Sequence, residues 1–449
     1  MLRHMVLSLA LLALAACSFQ GDEVSSRPIP AIPGPRHVEI INSDGVYQLL
    51  VDGQPFEVRG VGFGGGDLSS LPLLVEIGGN SIRTWNANNA AQILAKAAEH
   101  GVMVALGFDT QKELHGFDYN DKQAVAEQFE RFKQTLQRYK NHPNLLAWVV
   151  ANEPNLLFHS DGSLADVNPN VYRAINDMIE YVHQEDPHHP VTYTFAGASE
   201  EHIKTALKYT PNVDFISVQL YGDVGSLPAM IREHNIDKPY MVTEYGAIGH
   251  WERPTTEWGR EIEEPSGIKA DTFAERMRKA LAGNPTGKVI GSYAFLWGQK
   301  QERTPTWYGM FNADGKPNAR VDELSRFWTG AYPVNRAPRM MDIRLNDQPA
   351  ERNVYLAPGE QATVTVEVTD PDGDDLRYEW VLLQEVEVRS QGGAFEQKPD
   401  EAQLNPVSQQ AGELIFNAPL AEGDYRIFSY VYDGKGKVGN ANFPFYVKR

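Results

Sequence analysis

The chain carries one cysteine, Cys17, in 449 residues. No disulfide can form within it, so stability has to come from buried cores. Positive charge is also scarce: 41 Lys and Arg face 59 Asp and Glu, a net charge of −18 with a pI near 5.1. A field of that sign repels phosphate backbones and anionic headgroups, which argues against a nucleic-acid partner and suits a neutral substrate better than a polyanion. No Gly-x-Gly-x-x-Gly turn and no Gly-Lys-Ser/Thr phosphate loop follows any apolar run, which argues against a dinucleotide or P-loop fold. The glycine-rich stretch 62–66 lacks a lysine and reads as a tight turn. Internal repeats are absent too. Against these absences stand 42 % hydrophobic and 22 % charged residues, which exclude a disordered, collagenous or multi-span membrane chain. The length suits two or three domains.

Near the amino terminus Arg3 precedes residues 5–16, apolar apart from Ser8. That run is too short for a bilayer core of roughly 20 residues and reads as a secretory signal. It ends Leu14-Ala15-Ala16-Cys17, which resembles the lipobox of bacterial lipoproteins. The resemblance implies acylation of Cys17 and an exported protein anchored to a bacterial membrane, the outer one, on its periplasmic or cell-surface side. The competing reading is an ordinary signal peptide followed by a chance cysteine. Residues 18–35, rich in Ser, Pro and Gly, read as a flexible tether.

From residue 56 to 328 short apolar runs alternate with amphipathic segments, the pattern of βα units around a parallel sheet. Candidate strands fall at 57–62, 81–85, 102–106, 145–151, 191–195, 215–220, 240–243 and 289–295, with candidate helices at 90–100, 122–139, 171–184, 203–209 and 271–282. Eight strands with interleaved helices predict an α/β fold, a (β/α)8 TIM barrel, over residues 36–330. Residues 331–338, with two prolines, read as a linker. Beyond them, alternating runs at 362–369, 376–383, 413–416 and 425–432 between Gly, Pro and Asp turns predict an accessory β-sandwich over 339–449. Its stretch from Asp370 to Trp380 resembles immunoglobulin-like and cadherin-like modules of secreted bacterial enzymes. Its aspartates read as a solvated turn, because no EF-hand spacing is present, and no metal is assigned.

Two glutamates sit just past predicted strands, on the face where barrel loops converge. Glu153 follows the fourth strand in Ala151-Asn152-Glu153-Pro154, and Glu244 ends the seventh in Thr243-Glu244-Tyr245-Gly246. Only the fold can bring residues so far apart in sequence together. Trp148, on the opposite strand parity from Glu153, is expected to pack against helices. The loops at 246–270 and 298–317 are long enough for binding walls, and their tryptophans suggest several subsites.

These motifs, with Gly79-Asn80-Ser81-Ile82-Arg83-Thr84-Trp85, the run from Asp214 to Gly222 and Tyr293-Ala294-Phe295-Leu296-Trp297, resemble the retaining β-glycosidases of clan A, and above all the barrel domain of glycoside hydrolase family 2. The resemblance runs in barrel order over most of residues 38–328. It implies that Glu153 is the general acid/base and Glu244 the nucleophile of a β-glycosidase working through a covalent glycosyl-enzyme without a cofactor, on a β-linked oligo- or polysaccharide. It further implies that Asn152 binds the sugar 2-hydroxyl, or else caps a loop. Arg83 would keep Glu244 ionised, or else serve a buried structural ion pair. Tyr221 would orient Glu244, or else simply pack. Trp297 would form the platform under the sugar, and Trp85 is the best placed of Trp85, Trp251, Trp258 and Trp307 to wall a subsite. His115 reads as a loop histidine within reach of a hydroxyl. The modules that usually precede the family 2 barrel have no counterpart in the 20 or so residues before residue 56, where a small hairpin under the barrel floor is expected. The compact barrel with long loops also resembles the β-1,3-glucan transglycosylases of glycoside hydrolase family 72. A carbohydrate-binding lipoprotein without catalysis is the rival from another class, and the sandwich could dock or adhere.

Overall fold

Strands buried on both faces read as continuous apolar runs, and here such runs form a closed ring in the computed structural model, which describes residues 34–64, 67–390 and 392–449. The ring strands are Val58–Gly62, Ser81–Arg83, Met103–Gly107, Leu145–Val149, a fifth broken into Val191–Thr192 and Thr194–Ala196, then Ile216–Gln219, Tyr240–Tyr245 and Val289–Ala294. All neighbours pair in parallel, and the last strand pairs with the first, Gly291 opposite Val58. A helix follows every strand, so the (β/α)8 TIM barrel and the eight predicted strands are found at their expected places. Cys17, the signal segment and most of the tether lie outside the described residues.

Trp148 points outward: it is fully buried, packs edge-on against Phe132 and donates its indole N–H to Asp186 Oδ2 at 2.8 Å. The floor of the barrel is closed from below by the antiparallel hairpin Val38–Ser43 and Val46–Val51. Its Val38, Leu49 and Val51 pack with Met103, Phe215 and Ile290 in one apolar cluster. Closing the bottom leaves the upper end, where Glu153 and Glu244 lie, as the open one.

The β-sandwich consists of two four-stranded sheets, Arg339–Leu345, Gln361–Thr369, Glu413–Asn417 and Asn405–Gln410 against Tyr355–Leu356, Val438–Val447, Gly423–Tyr432 and Arg377–Gln384. The strands Arg339–Leu345, Tyr355–Leu356, Asn405–Gln410 and Val438–Val447 were not among the predicted ones; the last carries Gly439, Asn440, Asn442 and Pro444 and is nevertheless buried at nearly every position. Buried contacts weld the sandwich to the barrel. Ile262, from the loop after the seventh strand, belongs to the sandwich core. Trp258 packs against Tyr355 and Tyr446. Glu263 accepts from Lys269, from Thr306 Oγ1 at 2.9 Å and from the sandwich residue Asn442 at 2.6 Å. Segment 331–338 is packed into this contact through Ala337, which is fully buried and donates its N–H to Asp322 Oδ2 at 2.7 Å. Oxygens of Asp370, Asp372 and Asp374 come within 4.8 Å of one another, and Lys435 bonds Asp374 there.

Candidate active site

The strand ends at the open face deliver their polar side chains to one cleft of about 1170 Å³. Arg83 closes the second strand, fully buried. Its guanidinium donates to Glu244 Oε1 at 2.7 Å, to Asn152 Oδ1 at 2.5 Å and to the Thr243 carbonyl at 3.2 Å. The Trp85 indole N–H reaches the same Glu244 oxygen at 2.6 Å, and the Tyr221 hydroxyl donates to Oε2 at 2.8 Å. Three donors, one of them charged, converge on a carboxylate that is 7 % exposed. Burial and the negative charge of Glu244 push the Tyr221 phenol well above its ordinary range, so it stays a donor.

Glu153 is held differently. Its backbone sits in the left-handed region at φ 48° and its N–H donates to Thr194 Oγ1 at 2.9 Å. No donor other than Lys112, whose Nζ lies 3.5 Å from Oε2, faces its carboxylate among the described residues. Burial raises its pKa, and the charge of Glu244 raises it further, against the lowering pull of Lys112 and Arg83. Of the two carboxyls, Glu153 is the one whose surroundings favour the protonated form. Asn152 Oδ1 accepts from Arg83, from Gln219 Nε2 at 2.8 Å and from Thr194 Oγ1 at 3.2 Å, while its amide N–H groups have no partner among the described residues. That orientation turns the two N–H donors toward the cleft, which Asn152 lines.

The aromatic residues are sorted less simply than the motifs imply. Trp85 bonds Glu244 and stacks edge-on with Phe295, so it is bound into the carboxylate cluster. Trp297 touches the cleft but is 1 % exposed, gives its N–H to Ser70 Oγ at 2.8 Å and packs against Phe311. Phe295, two residues earlier, is the ring that meets Trp85, Tyr221 and Tyr308 beside Glu244. Trp258 and Trp307 do not line the cleft: the first docks the sandwich and the second donates to the Ile248 carbonyl inside the protein. The excursion 246–270 thus divides its work, because Trp251 lines the cleft while the part beyond it holds the second domain. His115, a loop histidine, lines the cleft. Lys112, Gln219, Phe295 and His250 were missed: Lys112 and His250 lie in loops outside any motif, and Gln219 and Phe295 stand inside motifs that gave no sign of their contacts. Burial and the nearby cations Arg303, Arg389 and Lys300 push His250 down to about 3, so it is neutral beside Tyr308.

Residues 68–329 match the family described as "Glycosyl hydrolases family 2, TIM barrel domain", more than half of the chain. The chain belongs to glycosyl hydrolase family 2. Among curated relatives, the beta-glucuronidase of Streptococcus agalactiae is 27 % identical over 356 residues, covering 66 % of this chain and 53 % of that one. The beta-glucuronidase of Sus scrofa is 23 % identical over 312 residues, covering 63 % and 45 %. A probable mannan endo-1,4-beta-mannosidase C of Aspergillus terreus is 29 % identical over 182 residues, covering 33 % and 43 %. The family 2 chain spans about half the length of the curated relatives it matches first. In fold it is similar to a calcium-binding mutant of Bacteroides uniformis beta-glucuronidase 2, at TM-score 0.51 and 15 % identity, covering 91 % of this chain and 47 % of that one.

Proposed function

We propose that this family 2 chain is a retaining β-glycosidase acting on neutral β-linked oligo- or polysaccharide. The observation that carries the reading is the contrast between its two carboxylates: Glu244 under the donors Arg83, Trp85 and Tyr221, and Glu153 half-buried beside Lys112 alone, with a raised pKa. Glu244 attacks the anomeric carbon while Glu153 gives its proton to the glycosidic oxygen. The leaving group departs as an alcohol, and the sugar is held as an ester of Glu244. Glu153, now a carboxylate, takes a proton from water, whose oxygen displaces Glu244 and restores both groups. Asn152 offers its amide N–H groups to the 2-hydroxyl, and Phe295 presents a ring to the apolar face of the sugar. No residue of this scheme calls for a cofactor.

The lining supports an uncharged substrate. Its lysines and arginine are Lys112, Lys300 and Arg303, and each already faces a carboxylate: Glu153 at 3.5 Å, Glu302 at 2.7 Å and Glu261 at 3.1 Å. Among the described residues of the lining no lysine or arginine is without a carboxylate partner, which weighs against a uronate, although the names of the relatives favour a glucuronide as the second reading. The lipobox-like Leu14-Ala15-Ala16-Cys17 supports export and a lipid anchor in a bacterial membrane. Defined gluco-, manno-, xylo- and galacto-oligosaccharides and an aryl β-glucuronide, with product anomers read by NMR, test the reading. Retained configuration on a neutral sugar and its loss in Glu244→Gln are expected. Inverted products, or full turnover in that variant, would overturn the mechanism, and cleavage of the glucuronide alone would overturn the substrate. Products longer than the input would identify a transglycosylase.

A further inference from the structure

The sandwich sends one long connection, residues 385–404, back to the open end of the barrel. A loop of that length in a compact domain is usually functional. Its Ser390, Gly392, Gly393 and Ala394 line the cleft that holds Glu153 and Glu244. We propose that this loop builds the leaving-group side of the substrate cleft, so that the sandwich supplies a subsite for the sugar unit beyond the scissile bond; this rests on the glycosidase reading above.

Buried polar contacts fix the loop. Glu396 has a fully buried side chain and acts as a clasp between the loop and the barrel. It accepts from the Ser390 N–H at 2.9 Å on its own loop and from the Arg303 N–H at 2.6 Å and the Gln301 amide at 3.2 Å on the barrel loop after the eighth strand. Arg303 also donates to the Ser390 carbonyl at 3.1 Å, and Lys300 to the Gly393 carbonyl at 3.2 Å. At Glu385 the loop starts from another buried pair, with Arg426 at 2.7 Å. Among the described residues, the part of the loop that lines the cleft is Ser390, Gly392, Gly393 and Ala394, small uncharged residues suited to the hydroxyls of a neutral sugar.

The far side of the loop decides which half of the cleft it serves. Gly392, at φ 58°, lies so close to the barrel that a Cβ there would come within 2.8 Å of Leu156 and 3.0 Å of Leu114. These leucines stand three residues past Glu153 and two past Lys112, its neighbour at 3.5 Å. The loop therefore bridges the eighth-strand loop to the ground around the proton donor. A leaving group takes its proton there, so the sugar that the loop touches is the departing one. Phe395, 91 % exposed next to Ala394, continues the wall outward.

Filling the subsite without touching the carboxylates tests this. For wild type, Ala394→Trp and the control Val388→Ala, at an exposed position of the same loop outside the cleft lining, kcat/KM is measured on β-linked gluco- and manno-tetrasaccharides and on the nitrophenyl glycosides of the same sugars. Ala394→Trp should lower the tetrasaccharide-to-nitrophenyl ratio about tenfold and Val388→Ala leave it within about twofold. An unchanged ratio in Ala394→Trp, or an equal fall in Val388→Ala, overturns the assignment. Ala394→Leu replaces the tryptophan variant if circular dichroism shows that it is unfolded. Wild type turning over no glycoside at all refutes the glycosidase reading by itself. The loop is then read by calorimetric binding of the same tetrasaccharides to Glu244→Gln with and without Ala394→Trp, where weaker binding in the second supports the subsite and equal or absent binding overturns it.

Discussion

Arg83→Met would take a guanidinium that is fully buried away from a Glu244 carboxylate that is 7 % exposed, at a contact of 2.7 Å. At an effective dielectric of about 20 their direct attraction is about 6 kcal/mol, an upper bound before desolvation is counted. Breaking one side of such a buried pair costs about 3–5 kcal/mol, because the partner charge is left largely desolvated and without compensation. Glu244→Gln keeps an oxygen for Arg83 and Trp85 but loses the counter-charge, and should cost about 1–3 kcal/mol. In the double variant neither charge remains, so its cost should stay at or below that of Arg83→Met alone, a coupling of about 1–3 kcal/mol. Urea denaturation at pH 7, followed by tryptophan fluorescence for the four proteins of this cycle, reads the coupling directly. If the double variant loses the sum of the two single losses to within about 0.5 kcal/mol, Arg83 and Glu244 are energetically independent and the account of the site fails. Arg83→Lys should recover little, since one ammonium cannot reach Glu244, Asn152 and the Thr243 carbonyl together.

Tyr221→Phe removes the hydroxyl bonded to Glu244 at 2.8 Å and should lower kcat/KM roughly 10- to 100-fold, the worth of one hydrogen bond to a charged group; a change below twofold would make Tyr221 a packing residue only. Lys112→Met removes a charge that lowers the Glu153 pKa, so the proton donor should keep its proton to higher pH and the alkaline limb of kcat/KM should move up; a limb that stays or moves down would separate Lys112 from Glu153. His250, held at about 3 against an ordinary 6.5, is charged in the unfolded chain but neutral in the folded one between those values, so it withdraws stability as pH falls through that window. His250→Gln should flatten the loss of melting temperature over that range, and an unchanged acid slope would contradict it. Trp258→Ala should lower Tm by several degrees through the contacts with Tyr355 and Tyr446; an unmoved Tm would mean that the sandwich docks without this ring.

Periodicity and motif order made the barrel, its strand ends and the pair Glu153 and Glu244 readable, because a parallel strand buried on both faces must be apolar along its length and catalytic groups must follow such strands at their carboxyl ends. Arg83, Asn152 and Tyr221 were singled out through the resemblance to the family, each at or just past a strand, and the structure brings all three beside Glu244 or one another. Trp148 was assigned outward by parity alone, and it is buried against Phe132. Parity could not assign Trp297, Trp258 or Trp307, whose loops have no fixed direction, and the three are held in the interior or at the domain contact. Strand Val438–Val447 hid its nature because Gly439 and Pro444 break the strand signal, while the fold buries both of its faces, Asn440 and Asn442 included.

The amino-acid sequence by itself determined the elements, since local patterns of burial need no knowledge of the fold, and its motifs singled out two glutamates as candidates. Only the tertiary structure decided which glutamate is stripped of donors and which receives three, because Trp85 lies 159 residues from Glu244 and Arg83 lies 161. It alone also brought Gly392 of the second domain against Leu156 of the first, through backbone turns and a buried clasp on Glu396. Burial and approach distance set the charge on a carboxylate and the wall of a cleft, and those quantities exist only once the chain has closed on itself.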